Sequence, residues 1–83
     1  MMYYVYLLVN EYGDKYIGYT SDLKRRVREH QEGKSIYTSQ HGSEWRLVYY
    51  EAYPSKKIAL KRESVLKRNG SMRKYLYQRL ELL

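Results

Sequence analysis

The tightest constraint on the fold of this chain is a pair of strand-forming runs joined by a short turn. The run YYVYLLV over residues 3–9 is aromatic and β-branched and contains no glycine or proline. A turn signal at Gly13 follows, and a second strand pattern over 15–19 begins directly after it. Because a short, turn-rich segment connects the two runs, the sequence predicts an antiparallel β-hairpin.

The rest of the chain alternates between helical patterns and one further strand. The first predicted helix runs from about Asp22 to Gln31, with Gly33 as its stop. The remaining predicted elements are a polar loop over 33–43, a strand over 45–53, a helix over about 56–68 that Ser55 caps, and a last helix from Ser71 to about Leu82. We therefore expect a single α+β domain over residues 1–83, in the order β-β-α-β-α-α, with a small antiparallel or mixed sheet.

The charge of the chain narrows the class of partner. Sixteen Lys and Arg residues against nine Asp and Glu residues give a formal net charge of +7 on 83 residues. Such a field attracts polyanions, meaning nucleic acid or an acidic membrane surface. Twelve tyrosines accompany it, and tyrosine can stack on nucleobases as well as pack in strands. Nucleic acid is the favoured partner.

The absence of cysteine excludes several kinds of site. Disulfides, thiolate zinc sites and cysteine nucleophiles are ruled out together. Small secreted domains usually carry disulfides, so a cytoplasmic location is favoured. The amino terminus has no signal-peptide pattern, and the longest apolar run is too short to span a membrane.

One basic and one imidazole side chain fall on the inward side of the first predicted helix. On a helical wheel Leu23 and Val27 define the inward face, and Arg26 and His30 flank them on the same side. A buried-side arginine costs free energy unless it has a partner. Two interpretations stay open. Arg26 could extend its charged end to solvent while His30 is a core residue with its hydrogen bonds made, or the two residues could form part of a functional site.

The helix over 56–68 has a similar ambiguity. Arg62 lies within its apolar stripe, and Glu63 lies at the edge of that stripe. A structural salt bridge from Arg62 or Arg26 to Glu63 would explain the pair, and so would a carboxylate held at the sheet surface to bind a metal ion. The predicted stripe consists of Ile58, Ala59, Val65 and Leu66.

The hairpin strands place tyrosines on a common face. The two-residue period of a strand puts Tyr4 and Tyr6 on one face, and Tyr16 and Gly18 share a face on the second strand. Gly18 is expected to leave room beside Tyr16 for a ligand or backbone. Ordinary cross-strand packing of tyrosines is the structural alternative.

One arrangement would use all of these polar positions. It is a site on the sheet with hairpin tyrosines, the arginine and histidine of the first helix, and the carboxylate of the second. Arginine binds phosphate and stabilises developing charge, and one carboxylate suffices for Mg²⁺. A tyrosine hydroxyl can pass a proton if nearby cations lower its pKa. This set suits the cleavage of phosphodiesters.

The order of these residues resembles that of the GIY-YIG endonucleases. Tyr4-Val5-Tyr6 and Tyr16-Ile17-Gly18, with nine residues between them, are similar to the paired motif of the family, although the first lacks its glycine. The segment 22–30 is similar to the next motif, with its arginine and histidine at Arg26 and His30. Arg62-Glu63 resembles the metal-binding glutamate motif.

The resemblance implies a fold, a reaction and a set of site residues. It implies a three-stranded antiparallel sheet flanked by helices, and Mg²⁺- or Mn²⁺-dependent hydrolysis of DNA phosphodiesters by water, in DNA repair or recombination. Its catalytic residues would be Tyr6 as the general base or its partner, Tyr16 at the water or phosphate, Arg26 at the transition state and His30 in support. Glu63 would hold the metal ion.

The basic surface predicts the contacts to the nucleic acid, and two other functions stay open. The expected contacts are Lys24, Arg25, Arg28, Lys34 and Lys61. The main alternative is a nucleic-acid-binding module on the nuclease scaffold that cleaves little or nothing. A domain that binds proteins or a membrane surface is the remaining alternative. A protein partner that supplies specificity is compatible with the first two functions.

Overall fold

The sheet is three-stranded and antiparallel, and its first strand lies in the centre. In the computed structural model, which describes residues 1–42 and 44–82, β1 spans Tyr3–Val9, β2 spans Lys15–Thr20 and β3 spans Arg46–Tyr53. Both neighbours pair antiparallel with β1, which gives the order β2-β1-β3. The α+β class, the hairpin and the third strand are confirmed. β3 begins one residue later than predicted, at Arg46, and the buried Trp45 precedes it.

The hairpin turn is built around the buried side chain of Asn10. Its Oδ1 accepts hydrogen bonds from the backbone N–H groups of Tyr12 at 2.9 Å and Asp14 at 2.8 Å. Gly13 has a φ of 83°, in the left-handed region that glycine enters without steric cost. Asn10 Nδ2 also donates to the carbonyl of His41, so the turn is tied to the segment that precedes β3.

The first helix, α1, spans Leu23–Gln31, within one residue of its predicted start. The Asp22 side chain caps it by accepting a hydrogen bond from the Arg25 N–H at 3.2 Å. Gly33 follows the helix with a φ of 75°, and this left-handed residue stops it as predicted.

A short second helix, α2, spans Ile36–Gln40. The prediction of an irregular loop over 33–43 is therefore wrong in its middle part; Ser43 lies outside the described residues. A five-residue helix carries too few positions for a periodic pattern, so the sequence gives no signal for it. Tertiary contacts hold it, since Thr38 is fully buried and its Oγ1 lies 2.9 Å from Nδ1 of His30.

The third helix, α3, spans Lys56–Arg68, as predicted. The Ser55 hydroxyl caps it by accepting a hydrogen bond from the Ile58 N–H at 3.3 Å. It packs on β1 and β2. The side chain of Ile58 is 50% exposed, so its assignment to the apolar stripe is wrong. Ala59 and Leu66 are buried as predicted.

The last helix, α4, spans Gly70–Arg79, and both of its predicted ends are corrected. Its cap is Asn69, whose Oδ1 accepts from the Met72 N–H at 3.1 Å, so a single extended residue separates α3 from α4. It ends before Leu82, because Glu81 has a φ of 57° and breaks the helical conformation. In the described parts of the chain, we find no helix with the length and apolar character needed to cross a bilayer.

The two faces of the sheet belong to different cores. Val5 and Leu7 of β1 point to the face covered by α3 and α4. Tyr6 and Leu8 point to the opposite face, where Trp45 and α1 cover them. The main core consists of Val5, Leu7, Ile17, Ala59, Leu66 and Leu76.

A polar cluster fastens α3 to β3. Nε and Nη2 of Arg62 donate to the two carboxylate oxygens of Glu51 at 2.9 and 3.0 Å. Tyr49 and Tyr53 donate their hydroxyls to the same carboxylate. The predicted alternative of a salt bridge from Arg62 to Glu63 is therefore wrong, because Arg62 pairs with Glu51 and Glu63 pairs with Lys67.

Candidate active site

The candidate site begins at Tyr6, a residue of the central strand that is 1% exposed. Tyr6 is the cross-strand partner of Gly18, and its phenol occupies the space where a β-carbon at Gly18 would stand. The expected room at Gly18 therefore exists, but the ring of Tyr6 fills it. Glycine is needed here because a β-carbon would collide with the phenol.

A chain of hydrogen bonds runs inward from the Tyr6 hydroxyl. This hydroxyl lies 2.7 Å from Nε2 of His30, and Nδ1 of His30 lies 2.9 Å from Oγ1 of Thr38. The Trp45 indole donates to the Thr38 carbonyl at 2.9 Å and so fixes that residue. All four side chains are buried, and their hydrogen bonds connect β1, α1 and α2.

Burial determines the protonation states of His30 and Tyr6 in this hydrogen-bonded series. Burial, aided by the nearby charge of Arg26, lowers the pKa of His30 to about 4, so its ring is neutral at pH 7. Burial, followed by the neighbouring Tyr16, raises the pKa of Tyr6 far above its ordinary value, and Arg26 only partly opposes this rise. Tyr6 therefore does not meet the condition that nearby cations lower the pKa of a proton-passing tyrosine.

Arg26 lies on the same side of α1 as His30, as the helical wheel predicts. Its Nη1 donates to Glu29 Oε1 at 3.2 Å, and about a third of each side chain is exposed. Its charge acts on the Tyr6 phenol. The guanidinium thus lies at the solvent side of the buried hydrogen-bonded chain. The predicted ion pair of Arg26 with Glu63 is wrong, since Glu29 takes that place.

Glu63 approaches the site from α3. Its side chain is only 19% exposed, it pairs with Lys67 Nζ at 3.3 Å, and its charge acts on the Tyr6 phenol. Lys67 Nζ in turn lies 5.9 Å from the centre of the Tyr16 ring. The described residues contain no cluster of three or more His, Asp or Glu side chains that would hold a metal ion. Glu63 is the one carboxylate among the predicted site residues.

Tyr16 joins the site to its surface. Its ring lies 4.9 Å from that of His30 and 6.2 Å from that of Tyr6, centre to centre. Tyr37 of α2 follows at 5.4 Å and stacks on His41 at 4.0 Å. An aromatic row therefore leads from the buried histidine to solvent. The structure thus brings Tyr6, Tyr16, Arg26, His30 and Glu63 together.

The five predicted nucleic-acid contacts lie on α1, on the segment after it and on α3, and they stay a prediction. Lys24 and Arg28 line a separate surface of α1 beside Leu47 of β3. Arg25 pairs with Asp22 at 3.9 Å, and Lys34 pairs with Glu32 at 3.3 Å. The fifth, Lys61, is exposed on α3. All five are solvent-accessible.

Sequence reasoning missed Thr38, Trp45, Tyr37 and Lys67 as parts of the site. Thr38 stands in a polar segment without periodicity, so nothing in the sequence distinguishes it from other loop residues. Lys67 carried one signal, because it lies four residues after Glu63 on a predicted helix.

Comparisons with known proteins agree with this geometry. The GIY-YIG catalytic domain family matches residues 2–76. The chain is 39% identical over 67 residues to a UPF0213 protein of Halalkalibacterium halodurans, which covers 81% of this chain and 71% of the relative. It is 35% identical over 74 residues to a UPF0213 protein of Streptococcus agalactiae, which covers 89% and 84%.

A solved structure shares the fold. The solution NMR structure of the UPF0213 protein from Bacillus halodurans aligns with a TM-score of 0.60 at 35% identity, over 96% of this chain and 85% of that one. The resemblance seen in the motifs is thereby confirmed. The chain belongs to the GIY-YIG catalytic domain family and has the nuclease-like fold of that family.

Proposed function

We propose that this domain is a metal-dependent endonuclease that hydrolyses phosphodiester bonds in DNA. The observation that carries the proposal is the hydrogen-bonded chain Tyr6–His30–Thr38 with the guanidinium of Arg26 at its solvent side. It supplies a group that can move a proton and a cation that can bind phosphate. The family match supports a nucleic-acid substrate.

Tyr6 and His30 act together as the general base in this mechanism. The mechanism assigns the donors in the two contacts of the His30 ring. The Tyr6 hydroxyl donates to Nε2 across 2.7 Å, and Nδ1–H donates to Thr38 Oγ1 across 2.9 Å. As water attacks the phosphorus, it gives a proton to the Tyr6 oxygen while Tyr6 passes its own proton to His30. This route avoids a free phenolate, which the raised pKa of Tyr6 disfavours. His30 holds the proton only transiently, because burial lowers its pKa to about 4.

Arg26 binds the phosphate that is cleaved. Glu29 holds one arm of its guanidinium at 3.2 Å and thereby orients the side chain. A guanidinium has five N–H donors, so enough remain to grip two phosphate oxygens. The charge stabilises the extra negative charge of the transition state. Tyr16 lies next to this position and orients the attacking water or the phosphate.

Glu63 would hold the expected Mg²⁺ or Mn²⁺ ion. The residues fit such an ion, since Glu63 is a mostly buried carboxylate whose charge acts on the Tyr6 phenol, and it is paired with an exposed lysine that a cation can displace. A single carboxylate is sufficient because Mg²⁺ keeps several waters and binds phosphate oxygens. When bound, the ion supplies positive charge beside the phosphate.

The test is a cleavage assay on labelled single-stranded, duplex, nicked, flap and four-way-junction DNA. Each substrate is incubated with Mg²⁺, Mn²⁺ or EDTA. Glu63→Gln should abolish metal-dependent cleavage, and Tyr6→Phe should slow it by about a hundredfold or more. Glu32→Gln is the matched control, since Glu32 is an exposed acid paired with Lys34 on the surface. Preference for the nicked or branched substrates would support a role in DNA repair or recombination.

Cleavage that needs metal and depends on Glu63 but not on Glu32 would support the proposal. Cleavage that survives Glu63→Gln in full would overturn it. So would intact substrates under every metal condition.

A second candidate, a nucleic-acid-binding module with little or no cleavage, is favoured by the ion pairs of the site. Arg26 is paired with Glu29 and Glu63 with Lys67, as in a purely structural arrangement. This function predicts steeply salt-dependent binding, no cleavage, and no effect of Glu63→Gln on a metal response.

A further inference from the structure

A groove of about 330 Å³ opens beside Tyr16, and the proposed mechanism does not use it. Residues from β2, α2, α3 and α4 converge on it. Apart from Ile17 they are basic or aromatic. No carboxylate lines the groove, although Lys67 is paired with Glu63 at 3.3 Å. These polar and aromatic residues are Lys15, Tyr16, Tyr37, Lys67, Arg73 and Tyr77.

The basic side chains of the groove are held by the protein. Lys15 Nζ lies 5.2 Å from the centre of the Tyr77 ring. Arg73 is anchored through Nη1, which donates to the carbonyls of Leu66 at 2.9 Å and Lys67 at 2.6 Å. Both of these bonds use one nitrogen, so the other N–H groups of Arg73 are directed elsewhere. An anion entering the groove would meet preordered cations.

The aromatic wall of the groove is supported from behind. The side chain of Tyr37 is 44% exposed. Its ring stacks on His41 at 4.0 Å with an interplanar angle of 9°, and it contacts Tyr16 at 5.4 Å. The ring is thus held in place while much of its surface faces water. An exposed, supported aromatic ring beside cations is the combination that binds an unpaired nucleotide.

We propose that this groove is a subsite for one unpaired nucleotide of the substrate strand. Its base stacks against Tyr37, and its phosphate lies between Lys15 and Arg73. Because Tyr16 belongs both to the groove and to the candidate active site, this nucleotide is adjacent to the phosphate that is cleaved. In this last respect the inference rests on the proposed function. The groove would make an unpaired nucleotide next to the cut a feature of the preferred substrate.

The test measures binding without cleavage. A short fluorescent oligothymidylate is titrated in EDTA with the wild-type protein, with Tyr37→Ala and with Tyr12→Ala. Tyr12 is 76% exposed in the hairpin turn and does not line the groove, so it is the matched control. Tyr37→Ala should weaken binding about tenfold and Tyr37→Phe should restore it, because stacking needs only the ring. A blunt duplex should show no such difference.

The phosphate contact is tested in the same way. Arg73→Gln and Lys24→Gln remove one positive charge each, and only Arg73 lines the groove. Arg73→Gln should weaken binding of the oligothymidylate severalfold more than Lys24→Gln does. In the wild-type protein, titration should shift the NMR signals of the Tyr37 ring before those of Tyr12.

The outcomes separate the subsite from the nuclease. Equal binding by Tyr37→Ala and Tyr12→Ala, with no shift of the Tyr37 signals, would overturn the subsite even if the protein cleaves DNA. Binding that depends on Tyr37 in a protein that never cleaves would support the subsite and reject the nuclease.

Discussion

The phenol of Tyr6 lies directly over Gly18, its partner across the β1–β2 pair, and leaves no space for a β-carbon there. Gly18→Ala is therefore expected to push the phenol away from His30. The free energy of unfolding should fall by about 1–3 kcal/mol, as for other overpacked positions. Cleavage should fall with it, because the proton route is broken. Urea denaturation and the cleavage assay measure the two effects.

Gly70→Ala is the control for this substitution. The nearest atom to a β-carbon at Gly70 is Nη2 of Arg73 at 3.6 Å, an ordinary contact. The free energy of unfolding of Gly70→Ala should differ from that of the wild type by less than about 0.5 kcal/mol. Equal stability and activity of the two variants would contradict the crowding at Gly18.

Burial of neutral His30 makes the stability of the fold depend on pH. The pKa of His30 is about 4 in the folded protein and about 6.5 in an unfolded chain. The unfolded state therefore binds more protons between these values, and stability falls as the pH drops from about 6.5 to 4. The loss is on the order of 3 kcal/mol at most. Denaturation at a series of pH values in this range measures it.

The second histidine separates this effect from other titrations. His30→Gln should remove the largest part of the pH dependence over this range, at some cost in stability at pH 7. His41→Gln, at an exposed position, should keep it. A pH dependence that is the same in both variants would assign it to other groups.

Thr38 is expected to set the tautomer of His30. In Thr38→Val the Nδ1 nitrogen loses its partner, so the ring should no longer be held with its proton on Nδ1. Nitrogen-15 NMR of the imidazole reports the tautomer without any substrate. Stability should fall by about 1–3 kcal/mol, because a buried polar group is left unsatisfied.

Thr38→Ser is the control for Thr38→Val, because serine keeps the hydroxyl that contacts His30. It should restore the Nδ1–H tautomer and any cleavage activity lost in Thr38→Val. A wild-type ring protonated on Nε2 would contradict the proposed direction of the proton route.

Glu51 is expected to be the most important acid for stability. Burial by itself raises the pKa of Glu51, but hydrogen bonds from Arg62 and from Tyr53 and Tyr49 outweigh it, so its pKa lies below its ordinary value. Its contribution is therefore present above the unfolded pKa and is lost as the pH falls through the folded one. Glu51→Gln at pH 7 should cost about 2–4 kcal/mol, because it leaves the half-buried Arg62 without its partner charge.

Glu32→Gln serves as the comparison in the same denaturation experiment. Glu32 pairs with Lys34 at the surface, where ion pairs contribute little. A loss of stability as small as that of Glu32→Gln would show that Glu51 is not the fastening point of α3.

The inward placement of Arg26 and His30 was predictable because one helix fixes both residues. Their positions relative to Leu23 and Val27 follow from helical geometry alone. Glu51 was not predictable, because its partners Arg62, Tyr49 and Tyr53 meet it only once α3 lies on the sheet. The raised pKa of Tyr6 was not predictable for a related reason. A sequence shows that cations are near in the chain, but it does not show how deeply a phenol is buried.

The partner of Arg62 illustrates a further limit of the sequence. The adjacent Glu63 is a plausible partner by sequence, yet adjacent residues on a helix point in different directions. Arg62 turns to β3 and Glu63 turns to Tyr6. The two members of the motif therefore have separate tasks, one in holding the helix and one at the site.

The central position of β1 has a consequence for how this protein can evolve. Alternate side chains of one strand serve the two cores, with Val5 and Leu7 on the helical side and Tyr6 and Leu8 on the other. Deletion or insertion of one residue in β1 would exchange the two sets and place an aliphatic side chain where the phenol stands. β1 can therefore accept substitutions but not changes in length. Every descendant that keeps the site must keep the same alternation of side chains between the two faces.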